Sequence, residues 1–219
     1  MHIIAHLHEF VATYGYLAVL VVVMLESAGV PLPGETTLVT ASIFAAQGTL
    51  NIWGVIACAA AGAILGDNAG YCVGREYGFP LVLRYGRYLH LDEPRLKLGQ
   101  YLFQRHGGKI VFFGRFVALL RAFAALLAGI NHLPWPRFFA FNAAGGIVWA
   151  SLFGFGGYLL GHAFEHYARP VGVVALIAAL VGAVAAQRFI AHHENALMAR
   201  AEAALPGPLQ APKPSGARR

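Results

Sequence analysis

The chain has 219 residues, 58% of them hydrophobic and 12% charged, with a mean hydropathy of +0.60. A soluble domain carries about 25% charged residues, so too little charge is present to cover a water-facing globule of this length. Sixteen Lys and Arg against ten Asp and Glu give a net charge of +6, and these basic residues flank apolar runs, which fits an anionic membrane surface and argues against nucleic acid as a partner.

The predicted architecture is an all-α polytopic membrane protein with about four transmembrane helices and two re-entrant helical hairpins arranged as an inverted repeat. A bilayer core of about 30 Å takes about 20 apolar residues in a helix. Residues 10–29 supply a first span; no basic lead of a cleavable signal precedes them, so they are expected to remain as a helix. Residues 31–48 are shorter and open with Pro31-Leu32-Pro33-Gly34, which removes N–H donors and fixes φ. That stretch is expected to dip into the membrane and return on the same side.

Residues 52–74 form a second span. Gly62, Gly66, Gly70, Gly74 and Gly78 recur every fourth residue along it, a small-residue ridge that lets another helix approach backbone to backbone. Asp67, Tyr71 and Arg75 lie four apart on a neighbouring face, so Asp67 is either tied structurally to Tyr71 and Arg75 or active in transport. Cys58 and Cys72 fall within the same span and form no CxxC or Cys/His spacing; neither a metal nor a cofactor is expected. The ten histidines sit mostly at predicted membrane surfaces.

Residues 80–106 are predicted as a cytoplasmic amphipathic segment. Within it, 91–105 mixes Leu96, Leu98, Leu102 and Phe103 with Arg95, Lys97 and Arg105, the pattern of a helix lying on the membrane surface or of a solvated linker. Residues 110–130 are long enough to cross but carry Arg115 and Arg121, and are read as a second hairpin. Residues 138–161 and 171–189 are the third and fourth spans. A tail follows from 191, disordered from about 206, where fourteen residues hold four prolines.

The positive-inside rule supports this layout. The stretch 75–109 holds seven basic residues and the tail holds Arg200, Arg218 and Arg219. Two hairpins between the spans put every basic cluster, and both termini, on the cytoplasmic side. Residues 31–74 and 110–161 then become two units of opposite orientation within one domain over 10–190. Secondary transporters are built this way, with substrate sites near the midplane on broken helices.

Five charges lie at membrane depth: Glu26, Glu35, Asp67, Arg115 and Arg121. Each costs about 2.5–3.5 kcal/mol at a helix centre, so the five together would cost on the order of 12–17 kcal/mol if unpaired. They must pair, neutralise or meet water. Three acids against two arginines leave one carboxyl over, and such a group takes up and releases protons. On a continuous helix Glu26 and Glu35 would point to opposite faces; with Pro31, Pro33 and Gly34 between them, both can face one cavity. Arg115 and Arg121, six residues apart, converge on one anion only if the backbone bends between them. Two guanidiniums then give bidentate phosphate recognition that Lys would not match. The structural reading is that they neutralise Glu26 and Glu35 and hold the hairpins together.

Several motifs resemble the DedA family of membrane proteins, whose domain is also called the SNARE-associated or VTT domain. These are Glu26 with Pro31-Leu32-Pro33-Gly34-Glu35; Gly66-Asp67-Asn68-Ala69-Gly70-Tyr71-Cys72-Val73-Gly74-Arg75; His106-Gly107-Gly108-Lys109; Gly114-Arg115-Phe116-Val117 with Arg121; Ala128-Gly129; and Asn142 with Gly145 and Trp149. The likeness covers about residues 10–190. It departs from the family pattern at Ala118 and Ala125, where proline is usual. The resemblance implies two facing re-entrant hairpins in a bacterial inner membrane. It also implies proton-dependent movement of phospholipids or a polyprenyl phosphate between leaflets, with Glu26, Glu35, Arg115 and Arg121 as the functional set.

The expected function is therefore a proton-coupled transporter or flippase for an anionic-headgroup lipid. Arg115 and Arg121 would hold the phosphate, and Glu26, Glu35 and Asp67 would carry the proton. Membrane lipids are the expected partners, with a second copy of the chain as a further candidate. A transporter of a small ion or drug differs only in substrate. An intramembrane enzyme would need more than paired carboxylates, and no GxSG-type serine, HExxH or Asp-rich cluster occurs; no enzymatic activity is expected.

Overall fold

In a computed structural model, residues 2–85, 93–116, 118–166 and 203–204 are described. The expected fourth span (171–189) and the proline-rich end of the tail lie outside them. The main elements among the described residues are seven helices: α1 (His2–Ser27), α2 (Gly34–Ala46), α3 (Ile52–Tyr85), α4 (Glu93–His106), α5 (Lys109–Gly114), α6 (Ala118–Ile130) and α7 (Trp135–His166). Within α3 and α7, Ile52–Gly78 (27 residues) and Trp135–His162 (28 residues) are long and apolar enough to cross a membrane. At 1.5 Å per residue each runs about 40 Å, more than a bilayer core of about 30 Å. By the same measure α2 and α6, 13 residues each, reach only about 20 Å.

The chain divides into two compact units. Among the described residues the first takes in 2–66 and 143–166, the second 67–142 and 203–204. This cut differs from the expected repeats at 31–74 and 110–161, because α3 and α7 each contribute one part to either unit.

In the first unit, α1 stops where the sequence stops it. Gly29 takes φ +104°, and the Val30 and Gly29 N–H groups donate to the carbonyls of Leu25 and Glu26, the paired bonds that close a helix C-terminus when the next residue is left-handed. The Pro31/Pro33 segment follows, and α2 turns back along α1. Glu26 lies against Gly34 at the start of α2, while the Tyr16 hydroxyl accepts from the Asn51 N–H beyond its end (2.7 Å). Residues 31–48 are therefore not a hairpin in themselves: nothing interrupts 35–46, and the turn lies between α1 and α2.

Next, α3 starts on the Asn51 carboxamide, which accepts from the Trp53 (2.9 Å) and Gly54 (3.4 Å) N–H groups, an N-cap. It runs in the same direction as α1. Gly54 packs on the Tyr16 ring, Gly62 on the backbone of Leu20 and Met24, and Gly66 on Met24 and Ser27. The tip of the α1–α2 hairpin thus sits beside the middle of the 27-residue span. Residues 10–29 had been expected to cross as a separate span running opposite to the second. Charge could not have revealed the shared direction, because residues 1–12 hold no Lys or Arg for the positive-inside rule to act on. The later part of α7 lies along α2, with Gly157 against Val39 and Ser42 and Gly161 against Ile43 and Ala46. Val19, Val23, Leu38, Val55 and Trp149 fill the core.

In the second unit, Gly74 meets the backbone of Leu126 on α6, Gly70 faces Ala125, and Gly129 returns the contact to Tyr71 and Arg75. Tyr71 stacks on Phe138, ring centroids 4.3 Å apart, inside a core that includes Phe103, Val111, Leu127 and Ile130. Gly78 does not extend the packing ridge. It has φ +25° and ψ −120°, a kink in α3, with open space around it.

The expected surface helix α4 is partly buried. Leu102 and Phe103 are in the interior, Gly99 lies on Leu127, and Lys97 is only 7% exposed. Arg105 and His106 face outward. Leu127 fits against a residue without a side chain, which draws that face of α4 into the core.

Candidate functional site

The break required between Arg115 and Arg121 is present. Helix α5 ends at Gly114, residues 115–116 form a turn, and α6 begins at Ala118. Arg115 holds helical angles (φ −63°, ψ −27°) as the last residue of α5's final turn, and the Phe116 N–H donates to the Phe113 carbonyl. Alanine at 118, where the family pattern has proline, does not prevent the interruption.

Arg115 is 5% exposed. Its Nη2 donates to Asp67 Oδ2 on α3 in an ion pair, and to Asn142 Oδ1 on α7 at 2.7 Å. Asp67 is 7% exposed and Asn142 is fully buried. Arg121, half-buried on α6, acts electrostatically on the same Asp67. Asp67 is thus bonded to Arg115 and lies in the field of Arg121. A buried charge costs several kcal/mol unless partners satisfy it; here three elements of one unit converge to supply them.

Asp67 thus supplies a carboxylate to Arg115, one of the pairings open to the five charges. Asp67 had been placed with Tyr71 and Arg75, but those two form a separate arrangement. Arg75 Nη1 donates to the Tyr71 hydroxyl (2.8 Å), which donates to the Leu133 carbonyl (2.6 Å). The i, i+4 spacing was right for Tyr71 and Arg75; Asp67 bonds instead to Arg115 at the end of α5.

In the first unit the Pro31/Pro33 turn brings Glu26 back to the start of α2. Its carboxyl packs on Gly34, with no room for a Cβ there, and Glu35 stands in the first turn of α2. Both glutamates are therefore gathered at one helix N-terminus, where the exposed N–H groups and the macrodipole favour negative charge. Pro31 and Pro33 are exposed in that turn, while Gly62, Gly66, Gly70 and Gly74 take the packing role assigned to them.

Sequence reasoning assigned no role to Asn142. The available signal was an amide within an apolar span, since a polar group at that depth needs a partner. Among the described residues no group of three or more His, Cys, Asp or Glu lies together as a metal site would require.

Comparisons with known proteins agree with the motifs. The VTT domain model matches residues 32–159. A membrane protein of Mycobacterium tuberculosis described as uncharacterised is 40% identical over 197 residues, covering 86% of this chain and 88% of its own. One from Synechocystis is 42% identical over 146 residues, 67% of each chain. The protein named DedA of Escherichia coli is 32% identical over 169 residues, covering 74% of this chain and 77% of its own. No solved structure matches. The chain belongs to the DedA family of VTT-domain membrane proteins.

Proposed function

We propose that the protein is a proton-coupled flippase that moves an anionic-headgroup lipid between leaflets and carries out no covalent chemistry. The observation that carries this reading is Arg115: a buried guanidinium at a helix break, held by Asp67 and Asn142. Charge at such a depth serves no packing need that an apolar side chain would not meet better. Broken helices at membrane depth are how transporters place backbone and charge around a substrate.

Arg115 and Arg121 bind the phosphate. Asp67, with Glu26 and Glu35, carries the proton that loosens the carboxylate's hold. Phe113 and Phe116, on either side of Arg115, are 63% and 40% exposed. An apolar chain beside a phosphate group suits that pairing, which favours a lipid over a small ion.

In the membrane, α3 and α7 cross, while α1–α2 and α5–α6 enter and return. Helix α4 faces the cytoplasm of a bacterial inner membrane, and the N-terminal end of α1 lies on the opposite side, with the turn at 47–51. Single cysteines at positions 3 and 48 are then labelled from one side and a cysteine at 105 from the other. Labelling of 3 and 105 from the same side would restore a full crossing at 10–29.

The direct test is leaflet exchange. The full chain is reconstituted with a labelled anionic phospholipid, with and without a pH gradient, and compared with Arg115→Lys, Arg121→Lys, Glu26→Gln and Glu35→Gln. Each lysine variant loses most of the exchange although it keeps the charge, because an ammonium lacks the planar fork. Full exchange in both lysine variants would remove the phosphate role.

A further inference from the structure

The contacts of Arg115 determine which part of its guanidinium an anion can use. A guanidinium has two bidentate edges, one formed by Nη1 and Nη2 and the other by Nε and Nη2. Nη2 belongs to both. It has two hydrogens, and it serves two acceptors here: Asp67 Oδ2 and Asn142 Oδ1. While both stay in place, neither edge can grip a phosphate with two bonds.

The two acceptors differ in chemistry. A carboxylate that takes up a proton loses its charge and most of its strength as an acceptor. A carboxamide is neutral at every pH and keeps its bond. We propose that the Asp67 carboxylate occupies the seat of the headgroup phosphate on Arg115 as an internal anion, and that Asn142 is a positioning residue that keeps the guanidinium in place while the two anions exchange. This inference rests on the reading of Arg115 as the headgroup site.

The step balances in charge and protons. Before exchange, Asp67 is an anion on cationic Arg115. One proton arriving at Asp67 frees one Nη2 hydrogen and completes a bidentate edge, and one phosphodiester anion takes the vacated position. The net charge of Arg115 with its bound anion is the same in both states, so one proton travels with each singly charged headgroup. When the headgroup leaves, Asp67 gives up the proton and returns. Among the described residues, charged Arg115 at the end of α5 and Arg121 from α6 act on Asp67; α7 presents neutral Asn142. Asn142 holds through the exchange because it is fully buried and water does not compete for its bond.

The test is binding of a water-soluble short-chain phosphatidylglycerol to the full chain in detergent micelles. Its phosphodiester keeps one negative charge between about pH 5 and about pH 8. Wild type is expected to bind about tenfold more tightly at the lower pH, and Asp67→Ala, which leaves no acceptor on that Nη2 hydrogen, to bind at the higher pH as tightly as wild type does at the lower, with its pH dependence gone. Asn142→Ala weakens binding at both pH values and leaves the pH dependence in place. Asn142→Asp keeps an acceptor on Nη2 but adds a second internal anion. It therefore binds more weakly than wild type at the higher pH and recovers more steeply on acidification, a change that a merely structural role would not produce.

Equal wild-type affinity at both pH values, with binding abolished in Arg115→Gln, would overturn the internal-anion proposal and leave the headgroup reading standing. Undiminished binding in Arg115→Gln would sink the headgroup reading itself. The wild-type profile decides the matter even if Asp67→Ala fails to fold, and a folded Asp67→Ala that keeps the wild-type pH dependence assigns the proton elsewhere and overturns the proposal.

Discussion

Arg115 Nη2 donates to Asn142 Oδ1 across 2.7 Å, joining the turn between α5 and α6 to the early part of α7 through two side chains almost wholly removed from solvent. Their sequence separation is 27 residues, and Asp67 on α3 closes the arrangement from 48 residues before Arg115. Three segments distant in sequence are thus fastened at one nitrogen.

Breaking this cluster from one side should cost more than removing its charges together. Asp67→Leu or Arg115→Met alone leaves one buried charge without its partner and should destabilise the protein by about 3–5 kcal/mol. The double variant should lose less than the sum of the two. Unfolding of the purified protein in mixed detergent, run as a double-mutant cycle, measures this; strictly additive losses would mean the pair is not coupled.

The glycines of α3 should respond unequally to alanine. At Gly66 and Gly74 a Cβ would collide with the backbone of Met24 and of Leu126 respectively, and backbone yields poorly, so each substitution should cost about 1–3 kcal/mol. At Gly70 the new Cβ would meet Ala125 Cβ at 3.5 Å, an ordinary contact. Alanine there should be neutral or stabilise by up to about 1 kcal/mol through helix propensity. Equal loss at Gly70 and Gly74 in thermal unfolding would contradict the packing described.

His132 ends α6 with φ +50°, and the Leu133 N–H closes on the Ala128 carbonyl at 3.0 Å. A side chain in the left-handed region costs on the order of 1 kcal/mol that glycine avoids. His132→Gly should raise the unfolding midpoint, and a lowered midpoint would show that the imidazole stabilises the turn.

Asn51 caps α3 through its side-chain oxygen. Asn51→Ala should destabilise the first unit by about 1 kcal/mol, while Asn51→Asp, which keeps the acceptor, should cost little. Hydrogen exchange at the Trp53 and Gly54 amides reads this directly, faster in the alanine variant and near wild type in the aspartate variant.

The amino-acid sequence by itself determined the solvent and the class of the chain: its charge deficit and long apolar runs call for lipid, and helices are the only way a single segment can satisfy its backbone there. It also determined where helices stop, since Pro31, Pro33 and Gly29 act through φ and missing N–H groups on their own neighbours. It identified Asp67, Arg115 and Arg121 as out of place for the same local reason, that each is a charge inside an apolar run.

What only the tertiary structure decided is who meets whom. That Asp67 holds Arg115, that Asn142 shares it, that α1 runs alongside α3 in the same direction, and that Gly78 bends the chain while Gly74 packs it are all long-range matters. Periodicity and charge counts describe one segment at a time. A buried guanidinium chooses among several carboxylates by which backbone can bring one to bonding distance, and that depends on how helices far apart in sequence fit against each other's small residues.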